Sequence, residues 1–118
     1  MNLEIRSFAD AGNLEKERLV LRVLSDTDLG QYAVLRSRIG SSRGPTSGRK
    51  RAYWFPDGDI KSGDLVVLYT KMGIRGEKPL TGGGTAHFFY WGSETPLWTG
   101  EHCAVLLSVS DWEYSIPT

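Results

Sequence analysis

Residues 53–69 constrain the fold more than any other stretch, because they combine two strand-like runs with two bends. Pro56-Asp57-Gly58 is typical of a tight turn: proline presets φ, the aspartate can bond the backbone two residues on, and glycine tolerates a positive φ. Ser62-Gly63-Asp64 makes a second bend. Residues 65–69 are continuously apolar, as in a strand covered on both faces. The segment predicts a strand, a tight turn and a second strand.

Alternation of apolar and polar side chains with period 2 recurs along the rest of the chain. Leu19, Leu21 and Val23 share one face of a strand, and Cys103, Val105, Leu107 and Val109 share one face of another. Together these runs predict about eight short strands in an antiparallel sandwich or barrel. The expected strands centre on residues 3–6, 19–23, 32–35, 53–55, 65–69, 86–91, 103–109 and 112–116.

Length and charge restrict the class of protein. A chain of 118 residues predicts one domain over residues 1–118, and 14 basic against 14 acidic side chains give no overall field for steering a charged partner. The single cysteine, Cys103, excludes an internal disulfide and a cysteine-rich zinc site. Neither a secretory signal nor a membrane-length apolar run is visible, so we expect a cytoplasmic protein without membrane contact.

Two glycine-rich segments interrupt the strand pattern. Residues 37–50 are rich in Gly, Ser and Arg, and residues 72–85 contain Gly73, Gly76 and the triplet Gly82-Gly83-Gly84. Both are too polar to pack in a core, so we expect mobile tips or binding loops. The triplet lacks the Gly-Lys-Ser/Thr ending of a phosphate loop.

Turn and core motifs follow one another in a particular order along the chain. They are Ser25-Asp26, Asp28-Leu29-Gly30-Gln31-Tyr32, Phe55-Pro56-Asp57-Gly58, Ser62-Gly63-Asp64 before the apolar strand, and Trp98 with Gly100-Glu101-His102-Cys103-Ala104-Val105-Leu106-Leu107. Their order resembles the lamin tail domain, a family of immunoglobulin-like sandwiches. The resemblance covers most of the chain, with Tyr32 where the family has Trp and with Glu101-His102-Cys103 in place of its Gly-Asp-x step. It implies an all-β, immunoglobulin-like antiparallel β-sandwich that acts as a binding or scaffold module, without catalytic residues or cofactors.

A basic loop at 36–51 is the first candidate site, because no acidic residue falls within it. Arginine forks suit phosphate oxygens, and Tyr53 and Trp54 follow directly as flat faces on which bases could stack. The competing interpretation is a solvated loop whose arginines pair with scattered carboxylates. The candidate nucleic-acid-binding residues are Arg36, Arg38, Arg43, Arg49, Lys50 and Arg51.

Aromatic side chains form the second candidate site. His87, Phe89 and Trp91 share one face of their strand, and Phe88 and Tyr90 share the other. One of these faces belongs to the core, whereas the other is either covered by loops or a second subunit, or open to a ligand. The candidates for contact with a protein partner or a sugar ring are Tyr53, Trp54, Trp91 and Trp98.

Catalytic and metal chemistry find little support in the sequence. His102 and Cys103 are neighbours on one strand and point to opposite faces, so only His87 could pair with the thiol. The Asp57, Asp59 and Asp64 carboxylates lack the ligand count of a calcium loop. We therefore expect no metal and no cofactor.

The leading expectation for function is a non-catalytic module that binds a protein partner or self-associates. The last expected strand, residues 112–116, is a candidate edge or dimer strand, because unprotected edges pair readily. Nucleic-acid binding through the basic loop and carbohydrate binding through the aromatics are the alternatives.

Overall fold

The computed structural model describes residues 1–117 and is almost entirely β. Seven of the eight expected strands are present, and three further strands and one turn of 3-10 helix at Leu29–Gln31 complete the fold. The strands are β1 Leu3–Ala9, β2 Arg18–Val23, β3 Thr27–Asp28, β4 Tyr32–Arg38, β5 Arg51–Trp54, β6 Asp59–Ile60, β7 Leu65–Tyr69, β8 Gly76–Pro79, β9 Thr85–Tyr90 and β10 His102–Ser108.

Two sheets form the sandwich, which confirms the all-β fold class. The larger has the order β1-β2-β7-β9-β8 and the smaller the order β10-β4-β5, while β3 pairs with β6 alone. The core lies between the two sheets and is built from side chains such as Leu21, Val34, Leu68 and Phe89. No helix among residues 1–117 has both the length and the apolar character needed to cross a membrane.

One strand pair departs from the expected antiparallel arrangement, because β7 and β9 are parallel. The chain leaves β7, passes the neighbouring position and forms β8 at the sheet edge. It then returns as β9, antiparallel to β8, into the gap between β8 and β7. Because the hairpin of β8 and β9 has its first strand at the edge and its second strand beside β7, β9 runs parallel to β7.

The apolar run at residues 65–69 is confirmed as a strand covered on both faces. β7 lies at the centre of the larger sheet, with Val66 and Leu68 in the core. Val67 points to the opposite face and is still buried. The alternation in β2 is confirmed as well, with Leu19, Leu21 and Val23 all buried.

The prediction of a tight turn at Pro56-Asp57-Gly58 is wrong, because the chain does not turn back there. β5 belongs to the smaller sheet and β7 to the larger one, so the segment between them crosses the sandwich instead of closing a hairpin. Gly63 has a positive φ of 91°, but Gly58 does not. Asp28 supplies the local side-chain bonds, since its Oδ1 accepts the N–H groups of Gly58 at 3.0 Å and Gly30 at 2.9 Å. These two hydrogen bonds lower the pKa of Asp28, against a smaller effect of burial.

Two further expectations about segments are wrong. The glycine-rich segment 72–85 is not only a loop, because β8 forms within it and pairs with β9. Its turn closes through the Leu80 N–H and the Gly84 carbonyl at 2.9 Å, and Gly82, Gly83 and Gly84 all have positive φ. Residues 112–116 form no strand. They alternate in polarity but pair with no other strand in the part of the chain that the structure describes. The pairing of β10 with β4 ends before them, at the hydrogen bond from the Val109 N–H to the Gln31 carbonyl.

Candidate interaction surface

The structure does not gather the six basic side chains of the loop into one patch. Arg36 is half-buried, and its Nε donates to the Leu97 carbonyl at 2.8 Å. Burial and the neighbouring charge of Arg51 lower the pKa of Arg36, and Glu17 opposes that shift. Arg51 lies beside it, with Nη2 3.5 Å from Ser93 Oγ. Arg36 and Arg51 therefore hold the segment that leads into Leu97.

Arg38 and Arg43 do come together, since both line a polar hollow of about 230 Å³. Arg38 Nη2 lies 4.0 Å from Glu101 Oε2, an exposed and weak ion pair. Arg43 adopts a φ of 67°, which is uncommon for a residue other than glycine. Arg49 is exposed, and the Lys50 ammonium group donates to the Ser47 carbonyl at 3.1 Å within its own loop.

Three of the four candidate aromatics belong to the core or its border. Tyr53 and Trp91 pack against the core, and Trp98 is only 5% exposed. The ring centroids of Tyr53 and Trp91 are 5.8 Å apart, and those of Trp91 and Trp98 are 6.1 Å apart. Burial raises the pKa of Tyr53, against a smaller opposite effect of Arg75. The ring faces of this cluster are used in packing, which leaves Trp54 as the candidate that presents a large surface to solvent.

The outer face of the smaller sheet is apolar, and we call it the small-sheet outer face. Tyr32 and Val34 of β4, and Ala104 and Leu106 of β10, point to the core, so their neighbours along each strand point away from it. None of the eight outward side chains is charged. They are Cys103, Val105 and Leu107 on β10, Ala33, Leu35 and Ser37 on β4, and Ala52 and Trp54 on β5.

Much of this face is accessible to solvent. Leu107 is 36% exposed and Trp54 is 50% exposed, while Leu35 and Val105 are half-buried. Ser37 is buried at one end of the face, where its Oγ accepts the N–H of Thr46 at 3.1 Å. The smaller sheet therefore carries apolar side chains on both sides, although only its inner side faces the core.

The segment after β10 extends the small-sheet outer face with two more aromatic rings. Trp112 packs edge-to-face on Trp54 with a centroid separation of 5.0 Å, and Tyr114 follows at 6.3 Å from Trp112. Trp112 is 58% exposed. Trp54 is oriented by a hydrogen bond from its Nε1 to the Gly30 carbonyl at 2.8 Å. The aromatic end of the face is thus anchored to the 3-10 turn.

The sequence identified Trp54 but missed the rest of this face. Alternation separates the two sides of a strand, but it does not say which side the second sheet covers. In β10 both sides are apolar, so the choice is open until the strands are paired. The uncharged run from Cys103 to Leu107 is the signal that could have pointed to the surface.

The structure does not bring His87 and Cys103 together. His87 Nε2 lies 2.9 Å from Asp64 Oδ2, and its Nδ1 lies 3.4 Å from Glu77 Oε2, on the inner side of the larger sheet. Cys103 lies on the small-sheet outer face, and His102 Nδ1 is 2.8 Å from Thr99 Oγ1. Within residues 1–117, no three His, Cys, Asp or Glu side chains are arranged to hold a metal ion.

Glu17 is the most deeply buried charged group, and no sequence pattern pointed to its role. Its side chain is 0% exposed and accepts N–H bonds from Gly12 at 2.9 Å, Leu97 at 2.9 Å and Trp98 at 3.2 Å. The Thr70 hydroxyl donates a fourth. Burial raises the pKa of this carboxyl, but the four hydrogen bonds lower it by more. Glu17 thereby fixes the segment that connects β9 to β10.

Comparison of the chain with protein-family models gives no match, and comparison with curated proteins gives none. The likeness to the lamin tail domain therefore stays a resemblance of motifs.

Proposed function

We propose that the chain is a non-catalytic interaction module that binds another protein chain through the small-sheet outer face. The observation that carries this proposal is a sheet side made only of uncharged side chains, in which Trp54 is 50% and Leu107 36% exposed. An antiparallel sheet that faces water on one side normally carries polar residues there. Contiguous exposed apolar surface is typical of protein-binding sites.

The aromatic end of the face supports the same function. Trp54 and Trp112 are large, rigid and half exposed, and tryptophan is enriched among the residues that dominate binding energy at protein interfaces. The hydrogen bond to Gly30 fixes the Trp54 ring before any partner arrives, which lowers the entropy lost on binding.

Two features of the sequence also favour the proposal. The motif order resembles the lamin tail domain, in which the sandwich is a binding or scaffold module. The single cysteine, Cys103, is a free thiol that fits a reducing compartment, which supports a cytoplasmic location as part of this proposal.

Photo-crosslinking in the native host tests the proposed face. A photoreactive residue at Leu107 should give a protein adduct, whether with a second copy or with another protein. The same residue at Leu24, which is 43% exposed and lies outside the face, should give little. Equal labelling from both positions, or no protein adduct from position 107, would contradict the proposal.

A second candidate function is binding of a nucleic-acid backbone, and the hollow between Arg38 and Arg43 is the observation that favours it. Two guanidinium groups on one hollow suit a phosphate, although Glu101 on the same hollow opposes an anion. Arg38→Ala combined with Arg43→Ala should abolish binding of an oligonucleotide at low salt. Arg6→Ala, an exposed arginine on β1, should leave it unchanged. Absence of salt-dependent binding by the unmodified chain would end this alternative.

A further inference from the structure

The four sheet edges of the sandwich are protected to different degrees. β1 has an irregular register between Ile5 and Ser7, and β8 carries Glu77, Lys78 and Pro79. β5 has only four residues. Bulges, charges, proline and short length are the usual means by which proteins prevent edge-to-edge pairing.

The edge formed by β10 has none of these protections. It runs for seven residues in unbroken register with β4, and it carries no charge from Cys103 to Ser108. Within residues 1–117, β4 is the only strand that pairs with it. The segment after β10 turns away from this edge, since Trp112 packs on Trp54 of β5, the opposite strand of the smaller sheet.

The register shows which peptide groups of β10 point out of the sheet. The Glu101 carbonyl accepts the Ile39 N–H at 2.9 Å, and the Val109 N–H donates to the Gln31 carbonyl at 2.7 Å. Odd-numbered residues of this strand therefore bond to β4, because bonding alternates along an antiparallel pair. The N–H and C=O groups of Ala104, Leu106 and Ser108 consequently face the open edge.

We propose that β10 pairs in antiparallel fashion with β10 of a second copy, across a two-fold axis at Val105. The inference rests on the proposed function, and it names the partner. Three strands from each copy then form one continuous sheet, and Ala104 lies opposite Leu106 of the copy with their outward peptide groups hydrogen-bonded to each other. The two small-sheet outer faces become one apolar surface.

Only one register uses the whole strand. With the axis at Val105, all seven residues of β10 overlap their copy, and Cys103 faces Leu107 across the pair. Sliding by two residues, which preserves the bonding pattern, shortens the overlap to five residues in either direction. In one direction it also places Glu101 opposite Asp111 of the copy, and like charges in that position repel.

A second copy suits this edge better than a charged peptide does. An isologous contact places the same patch on both sides, so a charge on a residue close to the axis would lie near its like on the copy. The uncharged run from Cys103 to Ser108 avoids that repulsion. Val105 and Leu107 belong both to this edge strand and to the small-sheet outer face, so the side chains of both copies meet in one apolar contact.

Disulfide trapping of the full chain tests the register. In a Cys103→Ser background, Val105→Cys places two thiols on a non-hydrogen-bonded pair, whose Cα atoms are about 4.5 Å apart and within disulfide range. Leu107→Cys in the same background is the matched control, because the two Leu107 positions lie four residues apart along the pair, about 13 Å. Under mild oxidation the Val105→Cys chain should form covalent dimer at least about tenfold faster than the control.

Sedimentation of the unmodified chain supplies an independent measurement. A species of twice 13.1 kDa should appear as concentration rises, and Val105→Lys should abolish it by placing like charges on the axis. Equal oxidation of the two cysteine variants, or a single species of 13.1 kDa at every concentration, would overturn the pairing. A crosslink from Leu107 to a different protein, without trapping at Val105, would refute this pairing and leave the proposed face intact.

Discussion

Replacing Glu17 with glutamine keeps the size of a fully buried side chain and removes its charge. In the native protein each carboxylate oxygen accepts two hydrogen bonds, Oε1 from Gly12 and Trp98 and Oε2 from Leu97 and Thr70. Glutamine offers one acceptor oxygen and an NH₂ group that can only donate. The Thr70 hydroxyl can rotate to accept from that group, but a backbone N–H cannot.

The hydrogen bonds that are lost or weakened set the size of the effect on stability. If the NH₂ group takes the place of Oε2, the Leu97 N–H loses its acceptor, and if it takes the place of Oε1, the Gly12 and Trp98 N–H groups lose theirs. Each buried backbone N–H that loses its acceptor costs about 1–3 kcal/mol. The remaining bonds lose their charge-assisted strength, which is about twice that of neutral ones. We expect Glu17→Gln to lower the free energy of unfolding by about 2–4 kcal/mol at pH 7. Most domains of this size would remain folded after such a loss.

Urea unfolding followed by tryptophan fluorescence measures the change, with Glu15→Gln as the matched control. Glu15 pairs with Lys71 at 3.9 Å, and its side chain is 78% exposed, so its loss should cost less than about 0.5 kcal/mol. The two substitutions make the same chemical change two residues apart in the chain and differ in burial.

Acid titration gives a second test of the same reasoning. The folded pKa of Glu17 lies below its unfolded value, so its stabilisation is present above the unfolded pKa and is lost as pH falls through the folded one. The gap between the native chain and Glu17→Gln should therefore narrow in acid. A Glu17→Gln variant within about 0.5 kcal/mol of the native chain at pH 7, or a gap that stays constant down to pH 3, would refute the reasoning.

Three further predictions concern other parts of the fold. Asp64 accepts hydrogen bonds from His87, Lys61 and Thr85, and although burial raises the pKa of Asp64, these bonds lower it by more. Asp64→Asn should therefore lower the free energy of unfolding by about 1–3 kcal/mol at neutral pH. It should also weaken the dependence of stability on pH in acid. Gly73→Ala should cost about 1–3 kcal/mol or more in urea unfolding, because its Cβ would lie 2.3 Å from Tyr90 Cδ1. Gly76→Ala, with nothing closer than 4.0 Å, should change little. Trp112→Ala should cost about 0.5–1.5 kcal/mol and speed proteolysis after β10, since its edge-to-face contact with Trp54 holds that segment; an unchanged cleavage rate would count against this role.

The parts of the fold that the sequence predicted are those in which a local pattern matches its final environment. β2 shows strict alternation and has one buried face, and β7 is apolar throughout and buried on both sides. β8 could not be found in this way, because Gly-Glu-Lys-Pro has no apolar pattern and becomes a strand only by pairing with β9. Residues 112–116 show the converse, since alternation without a partner strand leaves them outside any sheet.

Residues 53–69 illustrate what each level of structure decided. The sequence by itself predicted two of the three strands there, β5 and β7, because β-branched and aromatic runs are short-range features, but it did not predict the two-residue strand β6. Tertiary structure decided that β5 and β7 belong to different sheets, since strand partners are chosen by contacts far apart in the chain. The same limit applies to the surface. Local pattern made both sides of β10 apolar, and only the packing of the two sheets decided which side covers the core and which side remains open for a partner.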